Sequence, residues 1–517
     1  MAQMLDAALN EGLNVGGDAT ALLVNADFSN GFNGWQGTPM TTAAVSEDGT
    51  QRVAESWSTK GFDMYQTIEV PENGVYMLSL NGAYRLADKG DSYQHGAMLY
   101  LNDCQNYLQA DIEDMISFEE ALDKTNCWLG TTPDFEILDE EGNVLGYTTH
   151  GQQGAAYAFK AGRYPNSILV NVTDNKLTVG VRNAHAITSG NEWVAIGNIK
   201  LTYCGTLEEA SDALDATLQS QKARADFMLQ NYNDDPVDYF SYPNFSVALR
   251  SALQDKVNAI AGASSSEEKY ALVQEIGDLF AQIYECKGNY ANLISQTECF
   301  LSAIDAMHEA GKISDEEYNA SYEAYQTTNN GYLDGTYTSE EAAQGGDLAS
   351  SSLYPEYKDG YMQIGNAAQL NYFAVAVSSG HTNLNAQLTA DITADDSFSM
   401  IGGNNFGTNY LYNGIFDGQG HTLTVNIQRD GESQIGIFRH TNAATIQNVK
   451  FAGTIIGGQN TGLVGQIDGQ TKFFNVESNL TVVGTNNVGG FAGNATAGPQ
   501  TLDNCLFSGK ITATDNG

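Results

Sequence analysis

The stretch Gly414–Val425, GIFDGQGHTLTV, places Asp417 and His421 close together among glycines. An acid and an imidazole at that range suit general acid–base work. A glycine-rich turn also suits a phosphate cradle, but that needs a lysine and a following helix, and neither is present. The same C-terminal region holds the carboxylates Asp391, Asp395, Asp396, Asp417, Asp430, Asp468 and Asp503. Its bases are Arg429, Arg439, Lys450, Lys472, Lys510, His381, His421 and His440. A lyase would need carboxylates clustered on Ca²⁺ beside a basic proton acceptor, and a glycosidase two carboxylates roughly 5–10 Å apart. No base is expected to meet a carboxylate at a matching repeat position. The chain has no GxxxxGK[ST], HExxH, EF-hand or GxSxG motif. The expectation is that this chain is not an enzyme.

Composition narrows the partners. Sixty-three acidic residues face 23 Lys plus Arg, a net charge near −40. That balance excludes nucleic acid, whose binding depends on cations meeting phosphates. It also opposes adsorption to anionic lipid. Glycine is abundant at 54, proline scarce at 8, and only 17% of residues are charged. This suits an extracellular, β-rich chain. No apolar run reaches the ~18 residues that span a membrane. The opening MAQMLDAALNEGLNVGG has no basic leader followed by an apolar core, so an export signal is expected to have been removed. There are six cysteines and no CxxC, which excludes a zinc ribbon. Cys104/Cys127 and Cys286/Cys299 are either local disulfides or pairs of buried thiols.

Three patterns of hydrophobicity follow one another. Residues 21–205 alternate apolar and polar, as in GVYMLSLNGAYR (Gly74–Arg85) and KLTVGVRN (Lys176–Asn183), the signature of half-buried strands. Residues 206–350 change to helical spacing. One helix follows Thr206 and a second spans Phe245–Ala261. A third opens at the capping box Ser265-Ser266-Glu267-Glu268 and breaks near Gly288, and another starts at Ser314-Asp315-Glu316-Glu317. Residues 351–517 carry repeats. IQNVKFAGTI (Ile446–Ile455), FFNVESNLTV (Phe473–Val482) and LDNCLFSGKI (Leu502–Ile511) align, and Asn448, Asn475 and Asn504 recur. A period near 28 residues without helical runs predicts a β-solenoid. The repeated asparagine suits a left-handed turn or a ladder of stacked amides. In that frame Phe416, Leu423 and Val425 face inward, and Asp417–His421 is a corner with His421 as a turn hydrogen-bonder. The array stops without a polar cap, which suggests a fragment of a longer protein.

The first region resembles galactose-binding-like β-sandwich modules of secreted Bacteroidetes proteins. LLVNADFSNGFNGWQGT (Leu22–Thr38), AAYAFKAGRYPNSILVNVTDNKLTVGVRN (Ala155–Asn183) and EWVAIGNIKLTYCG (Glu192–Gly205) carry the likeness. The last region resembles GLUG-type repeats of bacterial surface proteins, through GLVG (Gly462–Gly465) and GGFAG (Gly489–Gly493). The first resemblance implies glycan binding and a structural Ca²⁺; the second is nearly silent on activity. Aromatic rings stacking on sugar faces are then Trp57, Tyr65, Tyr93 and Trp128, with Arg85 and His95 as polar partners. Trp35 and Trp193 belong to the framework and are assigned to the core. Asp27 is either a Ca²⁺ ligand or a turn-capping carboxylate.

The expected fold is multidomain and mainly β. A leader (1–20) precedes a jelly-roll-like β-sandwich (21–205), a helical bundle (206–350) and a right-handed parallel β-solenoid (351–517). The expected function is glycan binding or adhesion to a host or cell-surface ligand, outside a bacterial cell. The alternatives are a polysaccharide-degrading enzyme and a purely structural surface module.

Overall fold

The computed structural model describes residues 13–45, 51–57, 61–85, 96–114, 136–138, 143–147, 151–183, 193–230, 245–405 and 408–515. The chain separates into two compact units, Met1–Asn292 with Tyr332–Ser339, and Leu293–Gly331 with Glu340–Gly517. Helix and strand contribute comparably, so the chain is mixed α and β rather than mainly β.

In the first unit the strands are β1 (Gln36–Thr38), β2 (Thr42–Val45), β3 (Arg52–Trp57), β4 (Phe62–Glu69) and β5 (Gly74–Arg85). They continue as β6 (Ala97–Leu101), β7 (Cys104–Tyr107), β8 (Pro165–Val172), β9 (Lys176–Asn183) and β10 (Trp193–Tyr203). One sheet runs β8-β5-β10-β3-β2, with Gly17–Asp18 and Gln109–Ala110 at its margins; the other runs β1-β4-β9-β6-β7. Phe62, Met64, Leu99, Val179 and Val181 from the second sheet share one core with Tyr76, Leu78, Val194 and Ile196 from the first. Each such side chain contributes about 1.5–3 kcal/mol by leaving water. The unit is a β-sandwich.

Its two outer faces differ. Helix α1 (Gly151–Lys160) lies on the first sheet, where Ala155, Ala156 and Phe159 pack against Val53, Ala83, Trp193 and Ala195. Buried on both faces, the stretches Gly82–Arg85 of β5 and Trp193–Gly197 of β10 lose the alternation seen elsewhere in these strands. The second sheet keeps strict alternation: in β4, Phe62, Met64 and Gln66 are buried while Asp63 and Thr67 are exposed.

Helices α2 (Ser211–Gln230) and α3 (Val247–Ala259) follow, then α4 (Ser266–Glu309) and α5 (Asp315–Leu333). Both expected capping boxes form. Glu268 N–H donates to Ser265 Oγ at 3.2 Å and Glu317 N–H to Ser314 Oγ at 3.2 Å, each glutamate accepting in return. These hydrogen bonds hold both carboxyls below the ordinary glutamate value. Ser246 caps α3 through Leu249 N–H at 3.2 Å. The break expected at Gly288 does not occur, because α4 is continuous. A mid-helix glycine costs about 1 kcal/mol. Burial of Ile283, Tyr284, Tyr290 and Leu293 around it exceeds that cost. Cys286 and Cys299 are free thiols, not a disulfide. Both sit on α4, 13 residues apart (299 − 286), which is a rise of about 20 Å, far beyond the reach of a disulfide. Burial pushes them up to about 11 and about 12. Cys104 is also a free thiol; Cys127 lies outside the described residues.

One buried ion pair ties α2 and α4 to the edge of the second sheet. Arg224 Nε donates to Glu113 Oε2 at 2.6 Å and Nη2 to Glu113 Oε1 at 2.9 Å. Arg224 also donates to the carbonyls of Tyr107 (2.9 Å) and Leu108 (3.0 Å) and to Tyr284 Oη (2.6 Å). Its guanidinium lies 5.1 Å from the Phe280 ring centroid.

The second unit contains the repeats. Helix α6 (Ser339–Ala343), β11 (Tyr361–Ile364) and helix α7 (Ala367–Ser378) lead into short strands. These are β12 (Ala386–Leu388), β13 (Ile392–Ala394), β14 (Ile415–Asp417), β15 (Thr422–Gln428), β16 (Phe438–Thr441) and β17 (Thr445–Ile456). After them come β18 (Val464–Ile467), β19 (Lys472–Gly484), β20 (Ala492–Ala495), β21 (Thr501–Asp503), β22 (Leu506–Phe507) and β23 (Lys510–Ala513). Apart from an antiparallel hairpin (Gly403–Asn405 with Thr408–Tyr410) and the antiparallel pairing of Tyr357–Lys358 with β11, the strands from β11 onward pair in parallel. Phe416 pairs with Ile446, Ile446 with Phe473, and Phe473 with Leu502. A second parallel sheet runs β16-β18-β20. Phe416, Leu423 and Val425 are fully buried, as expected.

The repeated asparagines meet both expectations. Asn448, Asn475 and Asn504 take φ of 51°, 54° and 50°. Asn475 Nδ2 donates to Asn448 Oδ1 at 2.9 Å and Asn504 Nδ2 to Asn475 Oδ1 at 2.7 Å. The ladder ends on Asp417, whose Oδ1 accepts from Asn448 Nδ2 at 3.1 Å. Asp417–His421 is a corner: Gln419 has φ 50°, and Gly420 N–H donates to Asn448 O at 2.7 Å.

All four tryptophans (Trp35, Trp57, Trp128 and Trp193) precede residue 200, so tryptophan fluorescence reports on the first unit. Arg224→Ala leaves Glu113 buried without its counter-charge. In chemical denaturation it lowers the fluorescence-detected stability by about 3–5 kcal/mol, and the double variant Arg224→Met/Glu113→Leu recovers most of the loss.

Candidate functional site

The outer face of the second sheet is built by positions that alternate out of the core. β4 supplies Asp63, Tyr65 and Thr67; β9 supplies Thr178, Gly180 and Arg182; β6 supplies Met98 and Tyr100; β7 supplies Gln105. Register places Gln36, Tyr65, Gly180, Tyr100 and Gln105 in one row across all five strands.

Gly180 is the key to this row. A Cβ there would lie 2.2 Å from Tyr100 Cζ and 2.4 Å from its Oη, so the Tyr100 ring lies flat across β9. The hydroxyl reaches the far strand and donates to Asp63 Oδ1 at 2.7 Å. Burial, then the Asp63 contact, pushes the phenol well above its ordinary value. Arg182 Cζ stands 5.4 Å from the Tyr100 ring centroid. Its Nη2 donates to Gln105 Oε1 at 2.5 Å and its Nε to Met98 Sδ at 3.1 Å. Tyr65 is half-buried beside Gly37, whose absent Cβ leaves room for its ring. Thr67 and Thr178 hydroxyls pair at 3.0 Å. The face offers two partly exposed tyrosine rings, a carboxylate, a guanidinium and an amide, a set suited to a ligand with apolar faces and hydroxyl edges.

The residues singled out from sequence do not gather in one place. Tyr65 belongs to this face. Arg85 ends β5 in the other sheet, 4% exposed, with its guanidinium 5.1 Å over the Trp193 ring. Trp193 is core, and its Nε1 donates to Glu55 Oε2 at 2.8 Å. Trp35 is half-buried against Phe28 and donates to Asn25 O at 3.2 Å. The Trp57 backbone pairs with Trp193 at the end of β3; its side chain, and all of Tyr93, His95 and Trp128, lie outside the described residues.

Asp27 is exposed and accepts from Ser29 N–H at 3.1 Å, which holds its carboxyl below the ordinary aspartate value. It borders a cleft of about 320 Å³ together with Arg52, Gln51 and Asn198. The described residues supply one carboxylate beside a guanidinium, so a Ca²⁺ site here would need further oxygen donors. Among the described residues no group of three or more His, Cys, Asp or Glu side chains could hold a metal.

Tyr100, Asp63, Arg182 and Gln105 were missed from sequence. For Asp63 and Arg182 the signal was present in the outward positions of FDMYQTIE and KLTVGVRN, and for Tyr100 in the alternation of AMLYL and a glycine in mid-strand. The expectation that no base meets a carboxylate across repeats also fails. His440 Nε2 lies 2.8 Å from Asp468 Oδ2, Arg429 Nη1 2.5 Å from Asp396 Oδ1, and His421 Nδ1 3.3 Å from Asp391 Oδ1. The repeats vary in length, so residues in neighbouring turns of the chain align only once strand register is known. His421 acts at its corner, where Asp391 also accepts from Thr422 N–H at 2.8 Å.

No family model matches the chain. Over 171 residues it is 30% identical to halomucin of Haloquadratum walsbyi, covering 31% of this chain and 2% of halomucin. The chain therefore spans about 2% of the length of the curated relative it matches. Solved structures with a likeness include a family 16 carbohydrate-binding module (15% identity, TM-score 0.19, 35% of this chain and 98% of that one). Another is a family 61 carbohydrate-binding module in complex with β-1,4-galactotriose (14% identity, TM-score 0.18, 35% and 97%). A third holds the CBM51-2 and INT domains of Clostridium perfringens ZmpB (7% identity, TM-score 0.12, 48% and 41%). No described helix is long and apolar enough to cross a membrane.

Gly180→Ala forces the Tyr100 ring off the sheet and costs about 1–3 kcal/mol in fluorescence-detected unfolding. In a Tyr100→Ala background the same substitution costs little, and the double-mutant cycle reports the coupling.

Proposed function

We propose that the outer face of the five-stranded sheet binds glycans, and that the chain is a non-catalytic capture or adhesion protein of a bacterial cell surface or its surroundings. The observation that carries this reading is Tyr100 held flat across Gly180, beside Tyr65 and flanked by Asp63, Arg182 and Gln105. A pyranose has an apolar face that a flat ring covers and hydroxyls that a carboxylate, guanidinium and amide bind. Because α1 covers the opposite sheet, this is the exposed broad face of the sandwich among the described residues. The resemblance to galactose-binding-like modules supports the same class of ligand.

In this reading the helices are a spacer, and the parallel ladders are a right-handed β-solenoid of GLUG-type repeats that serves as a stalk. A jelly-roll topology for the sandwich and a structural Ca²⁺ belong to the same proposal. The acidic surface keeps such a chain soluble and apart from nucleic acid.

A broad glycan array with the full chain tests the proposal. Neutral polysaccharides should bind, and Tyr65→Ala and Tyr100→Ala should each weaken the best ligand about tenfold by calorimetry, as losing one ring contact implies. Silence across the array, or binding that ignores both tyrosines, would sink the assignment of this face.

A further inference from the structure

The second unit contains a cleft of about 300 Å³ whose lining is unusual for a chain of this charge. Lys312, Arg429 and Arg439 all border it, and no carboxylate does. The rest of the wall includes the hydroxyl residues Ser378, Ser379 and Ser399 and the apolar Val375, Phe398 and Met400. Three cations from a total of 23, against 63 acids, converge on one cavity.

Two of the cations are engaged at its rim. Arg429 donates from Nη1 to Asp396 Oδ1 at 2.5 Å and from Nη2 to Asp396 O at 2.7 Å. Lys312 donates to Ser397 O. Asp395 turns to its own loop, accepting from Ser397 N–H at 2.9 Å. Arg439 differs. Its Nε is buried and, among the described residues, has no hydrogen-bond partner, and its side chain forms no ion pair with them. Its aliphatic stem lies against Gly403, where a Cβ would come 2.8 Å from Arg439 Cδ. Gly402 and Gly403 both take positive φ (73° and 149°), so the loop can lie close to the arginine. A buried guanidinium nitrogen without an acceptor is costly unless a ligand supplies one.

We propose that this cleft binds a small oxyanion, a carboxylate or sulfate group carried on a compact, partly apolar body. Arg439 is its principal ligand, with Lys312 and Arg429 setting the charge. A guanidinium fork matches the paired oxygens of either group. The cavity sits at the small end of the ~300–1,000 Å³ range of ligand pockets, larger than a bare sulfate needs. The serine hydroxyls and the Phe398 and Val375 wall would receive the body, and an acidic sugar has that make-up. This site is independent of the tyrosine face.

Calorimetry on the full chain with sodium sulfate, D-galacturonate and D-galactose tests it. The account predicts binding of galacturonate, weaker binding of sulfate, none of galactose, and affinity that falls as NaCl rises. Arg439→Met should lose at least about tenfold in affinity, and Lys312→Gln less. Unchanged far-UV circular dichroism and an unchanged thermal unfolding profile followed by the same signal verify that both variants are folded. Binding of sulfate alone would assign the pocket to inorganic anions and overturn the sugar-sized body. No binding at millimolar concentration, equal binding of galactose, or binding unchanged in both variants would overturn the proposal.

Discussion

The bidentate contact between Arg224 and Glu113 is the constraint on which the first unit depends. Both groups have left water almost completely, with side chains 7% and 1% exposed. Burial alone would pull the guanidinium's proton affinity down; Glu113 and Tyr284 reverse that and raise it. The remaining donors of Arg224 close on the carbonyls of Tyr107 and Leu108, where β7 ends. The helix-borne arginine therefore pins the edge strand of the second sheet. That strand carries Gln105, which holds Arg182, which stands over Tyr100. The geometry of the outer face follows from a charge buried behind its edge.

The sandwich is asymmetric for a simple reason. A helix rich in alanine can approach a sheet closely, and α1 uses Ala155, Ala156 and Ala158 to cover the first sheet. Apart from its edge, where Tyr284 of α4 packs on Tyr107, the outer face of the second sheet is covered among the described residues only by its own side chains. Gly180 removes one of them, and Tyr100 occupies the space. Tyr100 thereby exchanges the freedom of a surface tyrosine for a fixed platform, at a small conformational cost to any ligand that stacks there.

Much of the architecture was legible in the sequence. Alternation located the sandwich strands, and the Ser-x-x-Glu boxes at Ser265 and Ser314 located helix starts. The spacing of Asn448, Asn475 and Asn504 located the turns that stack. Gly288 misled, because its local preference was outweighed by long-range burial of the residues around it. Of the two readings left open for Cys286 and Cys299, the structure takes the buried thiols, because proximity in sequence is separation along a helix. Composition overweighted β structure for the same reason: the glycines that mark turns say little about a 44-residue helix. The candidate site was legible only in part. Tyr65 stood out as an aromatic in an alternating strand, but Tyr100, Asp63 and Arg182 come from three different strands, and only register brings them together. The same holds for Arg439, whose isolation from carboxylates is a property of the fold.

Amide hydrogen exchange of the full chain, with and without the best glycan from the array, tests the central claim most directly. Slowed exchange confined to residues 63–67, 98–102 and 178–182 is the result this account predicts. Protection centred elsewhere in the sandwich, on residues 22–35, with the five-stranded sheet unchanged, would contradict it.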